Sequence, residues 1–268
     1  MEIIPRPFGE ILSQGVVLLG RVWRPILAPV FWAFVALGAL TIGAFVLTGA
    51  DDFLLLILND PQALEALTDE ELFDIAVRLA QAASIAVSLQ ILATGFVNLT
   101  VHRVVASEIA GAPVTSRQAT ARALGRLLAL VGAMILVFVF VLLGLVALII
   151  PGIWLAGSFS VIAPVVALEQ LGPIAALRRS MDLVKGRWWP TVGFLLLVGL
   201  LGSAAAQLVQ LIALPSLMTG DVGLGGGLAF VVLMVVQGLV VAAIAVMTTL
   251  WYLDLRARKE TLLTSSLT

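Results

Sequence analysis

The chain has 268 residues, of which 61% are hydrophobic and 12% charged, with a mean hydropathy of +1.15. A soluble domain carries about 25% charged residues. So few charges cannot coat a globule in water, which excludes a soluble or a disordered protein and points to a polytopic membrane protein. With no Cys, one His and one Tyr, the chain has no means of making disulfides, thiolate metal sites, a Cys nucleophile or a multi-His metal centre.

A spanning helix needs about 20 mainly apolar residues. Ahead of the first such run, Phe8, Ile11, Leu12, Leu19, Val22 and Trp23 recur at helical spacing with Glu10, Gln14 and Arg21 between them. That pattern predicts an amphipathic helix in the membrane interface. The first span is 26–48. It is long enough to cross and contains Trp32 and Phe34, so it reads as a retained span rather than a cleaved signal peptide.

The segment 49–74 is the longest hydrophilic stretch. Asp60-Pro61 predicts the start of a short helix, and Thr68-x-x-Glu71 reads as a capping box leading into the second span, 75–101. Thr115-x-x-Gln118 is a second capping box. Arg117, Arg122 and Arg126 follow it, ahead of the third span, 127–150. Pro151-Gly152 predicts a tight hairpin before the fourth span, 153–168, which is short and contains Pro164.

Beyond it, Ile174, Leu177, Met181, Val184 and Trp188 recur at spacings of three and four, opposite Arg178, Arg179, Asp182 and Lys185. They predict another interfacial helix with the apolar set buried. The fifth span is 192–214 and the sixth 228–251. The Gly-rich loop between them, 220–227, lacks the Lys-Ser/Thr ending of a phosphate-binding loop.

The expected fold class is all-α: a polytopic membrane helical bundle of about six transmembrane helices plus cytoplasmic interfacial amphipathic helices, in one integral membrane domain over 1–268. Trp23-Arg24-Pro25 aligns with Trp188-Trp189-Pro190. The chain therefore reads as three repeats of interfacial helix plus hairpin, at 1–101, 102–169 and 170–260, with chance similarity between apolar segments as the competing explanation.

The distribution of charge sets the orientation. With the N-terminus inside, 14 of the 15 Lys and Arg fall in the inner segments, and only Arg78 lies outside, four residues after Asp74. Asp51, Asp52, Asp60, Glu65, Asp69, Glu70, Glu71, Asp74 and Asp221 fall in the outer segments. Basic residues are retained on the cytoplasmic side, so both termini are expected there.

Two groups of polar residues stand out. Gln81, Ser84, Ser88 and Asn98 form a stripe on the second span, and Gln207 and Gln210 share a face of the fifth. In hydrocarbon such groups need partners, so they are expected to face other helices, either as interhelical hydrogen bonds or along a polar path. The second group is a charge cluster at the inner face: Glu169, Arg178, Arg179, Asp254 and Arg256. Glu169 or Asp254 is expected to pair with Arg178 or Arg179 and tie the fourth span's exit to the C-terminal helix. No carboxylate lies deep in a span, and no Ser-His-Asp set, carboxylate pair or metal-ligand spacing is present, so no enzymatic activity, metal or cofactor is expected.

The stretch Pro151-Gly152-Ile153-Trp154, then Ala163-Pro164-Val165-Val166-Ala167-Leu168-Glu169, Gly172-Pro173-Ile174-Ala175-Ala176-Leu177-Arg178-Arg179-Ser180 and Lys185-Gly186-Arg187-Trp188-Trp189, resembles the glycerophosphoryl diester phosphodiesterase membrane-domain family. Arg6-Pro7-Phe8-Gly9-Glu10-Ile11-Leu12 and Tyr252-Leu253-Asp254-Leu255-Arg256-Ala257-Arg258-Lys259-Glu260 resemble that family's ends, so the resemblance covers nearly the whole chain. It implies a membrane module that in fused proteins precedes a soluble phosphodiesterase barrel. The chain ends at Thr268 without room for that barrel, so a stand-alone module of the bacterial plasma membrane is expected.

The expected function is that of a non-enzymatic scaffold or accessory subunit. Its partners would be membrane lipids or a cytoplasmic protein at the basic inner face, with no nucleic acid. The alternative is a transporter or lipid-handling protein for an amphiphile.

Overall fold

The computed structural model describes residues 7–59, 62, 67–218 and 224–265. All regular structure among them is helical: α1 (Phe8–Thr48), α2 (Ala50–Asn59), α3 (Asp69–Ile109), α4 (Ser116–Ala147), α5 (Ile149–Ser158), α6 (Ile162–Leu168), α7 (Pro173–Val184), α8 (Trp188–Met218) and α9 (Leu224–Ser265). Six stretches are long and apolar enough to cross a membrane: Phe8–Thr48, Asp69–Ile109, Ser116–Ala147, Ile149–Leu168, Trp188–Leu208 and Val232–Glu260. The chain is a multi-pass membrane protein of the all-α class.

Neighbour by neighbour, α3, α1, α9, α8, α5 and α4 close a ring, so that the first and last long helices pack together. The short α6 fills the ring's interior, against α3, α4, α7 and α9, with Ile162, Pro164, Val165, Val166 and Ala167 buried. One end of the bundle carries Arg24, Arg103, Arg126, Arg179 and Arg256 and is called the basic end; the other carries Asp51, Asp69 and Asp74 and is called the acidic end. Packing is densest towards the basic end. In α3 the buried residues are Ala82 and then a cluster from Val97 to Val105. Towards the acidic end the helices leave large apolar side chains such as Phe73, Val87, Phe138, Val146 and Leu208 exposed, as suits a lipid-facing surface.

Both expected capping boxes are present. The Thr68 amide donates to Glu71 at 2.8 Å and the Glu71 amide to Thr68 Oγ1 at 3.3 Å. The reciprocal pair at Thr115 and Gln118 measures 3.2 and 3.3 Å. In the 49–74 segment the helix seen is α2, which begins directly after Gly49 in the left-handed conformation (φ 68°) and carries Asp51 and Asp52 in its first turn. The helix start expected at Asp60-Pro61 lies outside the described residues.

Three boundaries differ from the sequence-based expectation. First, α1 runs unbroken for 41 residues, about 60 Å, through Pro25 and Pro29. The N-terminal amphipathic stretch and the first span are thus one helix, and α4 likewise carries its basic stretch into the third span without a break. The stretch at 174–188 is divided: the separate helix α7 ends at Val184, and Trp188, half-buried, begins α8. Pro29 has no N–H for the Pro25 carbonyl, and the Ser116 hydroxyl supplies the missing donor at 2.7 Å. Repair of that bond offsets part of the cost of continuing the helix through Pro29.

Second, the chain reverses at Leu148, which is extended (φ −162°, ψ 139°), and not at Pro151-Gly152. Pro151 sits in the first turn of α5, where a missing N–H is harmless. Gly152 instead permits close approach: a Cβ there would lie 2.6 Å from the Leu145 amide nitrogen, and one on Gly144 would lie 2.9 Å from Gly152 Cα. Third, the fourth span is two helices. Phe159, Ser160 and Val161 separate α5 from α6, and Pro164 falls in the first turn of α6.

The α4–α5 contact depends on Gly152 having no side chain. Gly152→Ala should lower the melting temperature in mild detergent, by roughly the 1–3 kcal/mol of an overpacked core. Gly193→Ala, where a Cβ meets nothing within 4 Å, should leave it unchanged or raise it slightly. Equal effects would show that the hairpin is loosely packed.

Candidate functional site

The residues that converge at the basic end start from the exit of α6. Glu169 caps that helix, and Gln170 adopts a positive φ of 55°, turning the chain sharply towards Pro173 at the first position of α7. In α7 Ala176, Leu177, Ser180, Leu183 and Val184 face the bundle. Leu177 and Val184 are buried as the sequence pattern implies, whereas Ile174 is exposed and Met181 half-buried. The packed face is rotated towards the small residues Ala176 and Ser180, which allow close approach.

On α7, Arg179 Nε donates to both oxygens of Glu169, at 2.9 and 2.8 Å. The Tyr252 hydroxyl donates to Glu169 Oε1 at 2.7 Å. One carboxylate therefore joins α6, α7 and α9. A second link between α7 and α9 is Lys259 Nζ to Asp182 Oδ1 at 3.2 Å.

The expected pairing of Glu169 with Arg179 is thus present. Asp254 instead receives Arg258 Nε at 2.7 Å, Arg256 Nε donates to Glu260 at 2.7 Å, and Arg178 is exposed. The tie to α9 comes through Tyr252 rather than Asp254, for a reason of helical phase. Tyr252 and Lys259 are seven residues apart and share a face, while Asp254 is turned about 200° from Tyr252. The seven-residue spacing was the signal available in the sequence for this pair.

Deeper in the bundle, His102 Nδ1 lies 2.8 Å from Thr249 Oγ1. The Thr249 hydroxyl donates its proton to the Ala245 carbonyl at 2.7 Å, which assigns the His102 proton to Nδ1. Trp251 Nε1 donates to Thr191 Oγ1 at 3.2 Å, and Trp251 stacks on Phe194 and Phe8 with ring centroids 4.6 and 5.3 Å away. These contacts fasten α9 to α3, α8 and the start of α1.

The polar stripes do not meet. Gln81, Ser84, Ser88, Gln207 and Gln210 are exposed, and Asn98 is half-buried. Helix α8 packs on α9 and α5, and α3 is not among its main neighbours. The Ser84 hydroxyl donates to the Gln81 carbonyl and that of Ser88 to Ser84, each at 2.8 Å, so the serines are satisfied within their own helix. At about 1.5 Å per residue, Gln207 lies about 28 Å along α8 from Trp188, and Gln81 about 31 Å along α3 from His102. Both glutamines therefore lie well along their helices towards the acidic end.

Among the described residues, no group of three or more His, Cys, Asp or Glu is arranged to hold a metal ion. Compared with known proteins, the chain matches no family model, no curated protein and no solved structure.

The geometry separates two pairs that sequence proximity alone treats alike. A double-mutant cycle on Glu169→Gln and Arg179→Gln, read as thermal stability in mild detergent, should show a coupling of about 1 kcal/mol or more, as expected of a charge-assisted hydrogen bond partly shielded from water. The cycle on Asp254→Asn and Arg179→Gln should be additive. Coupling in the second cycle and none in the first would contradict the arrangement.

Proposed function

We propose that the chain is a non-enzymatic scaffold or accessory subunit of a bacterial plasma membrane. Its basic end would face the cytoplasm and hold anionic lipid or a cytoplasmic partner. The observation that carries this reading is the asymmetry of the bundle. The cationic end is also the rigid end, where Glu169, Arg179 and Tyr252 bind three helices together and α6 fills the interior. Each cation near an anionic surface contributes about 1 kcal/mol to attraction, and a fixed array of them makes a platform. The resemblance to the glycerophosphoryl diester phosphodiesterase membrane-domain family, which implies a membrane module, suits the same reading.

The rival, handling of an amphiphile, draws on the broken fourth span, a feature of many transporters. Here the Ser158 carbonyl at that break is bonded by the Ser180 hydroxyl, and the polar stripes of α3 and α8 stand apart, so the scaffold is better supported.

Orientation is tested with single cysteines, since the natural chain has none. An impermeant thiol reagent should label Gln62→Cys in intact cells and leave Leu262→Cys unlabelled; the reverse pattern would overturn a cytoplasmic basic end. For the function itself, native mass spectrometry after gentle extraction should find anionic phospholipid or a cytoplasmic protein retained. Repeated recovery with neither would overturn the scaffold.

A further inference from the structure

Most cations described at the basic end of α7 and α9 face a carboxylate: Arg179, Arg256, Arg258 and Lys259 all do. Between α3 and α4 the pattern is different. Arg103 lies on α3, and Arg122 and Arg126, four residues apart, lie on α4. Among the described residues none of the three has an ion-pair partner. The charges that act most on Arg103 are those of Arg122 and Arg126, both of its own sign. The Nε of Arg103 and Nη2 of Arg126 are buried with no hydrogen-bond acceptor among the described residues.

The packing explains why these groups converge. Helix α4 presents Ala119, Ala123, Leu130 and Ala133 as its buried face, and Arg126 falls at the same spacing between Ala123 and Leu130. That face meets α3 closely, since a Cβ on Gly95 would lie 3.2 Å from Leu130. Arg126 is therefore directed at the α3–α4 seam, where Arg103 arrives from the other side. Like charges held together, with guanidinium N–H groups shut away from water, are costly unless an anion supplies both counter-charge and acceptors.

Depth identifies the anion. Arg126 immediately precedes the apolar run that begins at Leu127, and Arg103 follows the apolar run of α3. Both sit where hydrocarbon gives way to headgroups, the level of the lipid phosphates. Guanidinium groups match phosphate oxygens, taking two in parallel.

We propose that Arg103, Arg122 and Arg126 form a site for the phosphate of an anionic phospholipid in the leaflet at the basic end, wedged at the α3–α4 seam. This rests on the reading that the basic end binds anionic lipid, and it names the site. Bound there, the lipid ties the α3 exit to the α4 entry and offsets the repulsion among the three cations.

The test uses the full chain in neutral phosphatidylcholine micelles, with phosphatidylglycerol or inorganic phosphate added at equal phosphate concentration. Phosphatidylglycerol should raise the melting temperature of the wild type by about 4 °C, and inorganic phosphate should not. The double variant R103Q/R126Q should lose this rise yet melt no lower than the wild type in phosphatidylcholine alone, because it removes repelling cations. The exposed Arg122→Gln should lose part of the rise, and R178Q/K185Q, elsewhere on the basic end, should keep it. An equal rise in wild type and R103Q/R126Q would overturn the site while leaving the basic-end reading intact. No rise in any protein would overturn both. A rise with inorganic phosphate as large as with the lipid would overturn the lipid as ligand. If R103Q/R126Q fails to fold, Arg122→Gln decides: an unreduced rise there counts against the site.

Discussion

Hydrocarbon contains no hydrogen-bond donor, so a backbone carbonyl released inside a membrane bundle must be bonded by the chain itself. Helices α1 and α5 each release such groups, and on each helix one of them is answered by a distant side chain. The Ser116 hydroxyl at the start of α4 meets the carbonyl that Pro29 leaves free on α1. The Ser180 hydroxyl of α7 donates to the Ser158 carbonyl at 2.9 Å, just where α5 stops, since the Ile162 amide bonds to Phe159 instead. Trp188 Nε1 of α8 reaches the Trp154 carbonyl at 2.9 Å, a group that already accepts the Ser158 hydroxyl at 2.7 Å within α5. Each repair also docks one helix on another. Satisfying the backbone and docking a neighbouring helix are thus one event for α4 and α7.

Close approach at these points needs missing side chains as much as added donors. A Cβ on Gly157 would lie 2.5 Å from the Trp188 indole nitrogen, so the tryptophan reaches the α5 backbone only over a glycine. Without a hydrophobic drive between helices in lipid, such small-residue contacts carry much of the association. They occur along the bundle, at Gly144 and Gly152 in the α4–α5 hairpin, at Gly157 on Trp188 and at Gly238 on Phe34.

Much of this was legible in the sequence because it is one-dimensional information. Span length, charge asymmetry and the two capping boxes depend on residues near one another in the chain, and each is found where the pattern places it. What escaped the sequence depends on helical phase or on a partner's shape. Pro151-Gly152 looks like a break, but Leu148 turns because Gly152 has to face Gly144 across the hairpin. Asp254 and Tyr252 are two residues apart, yet only Tyr252 points at Glu169. Gln81 and Gln207 are expected to meet other helices through hydrogen bonds or along a polar path, but both side chains are exposed, on helices that are not main neighbours. Arg103 and Arg126 read as two of many topology charges. Their convergence appears only once α3 and α4 are set side by side.

The seam between α1 and α9 makes the fold dependent on its last helix. During synthesis α3 emerges long before α9, so the side chain of His102 stands without Thr249 until residues on the final span arrive. Until then an imidazole faces lipid or a temporary protein neighbour. A chain truncated before α9 would enter the membrane with its early spans in place yet leave the ring open at α1, where Phe34 and Gly38 pack against Gly238 and Met234. Completion of the C-terminal helix is thus a physical checkpoint, because the fold has no closed form without it.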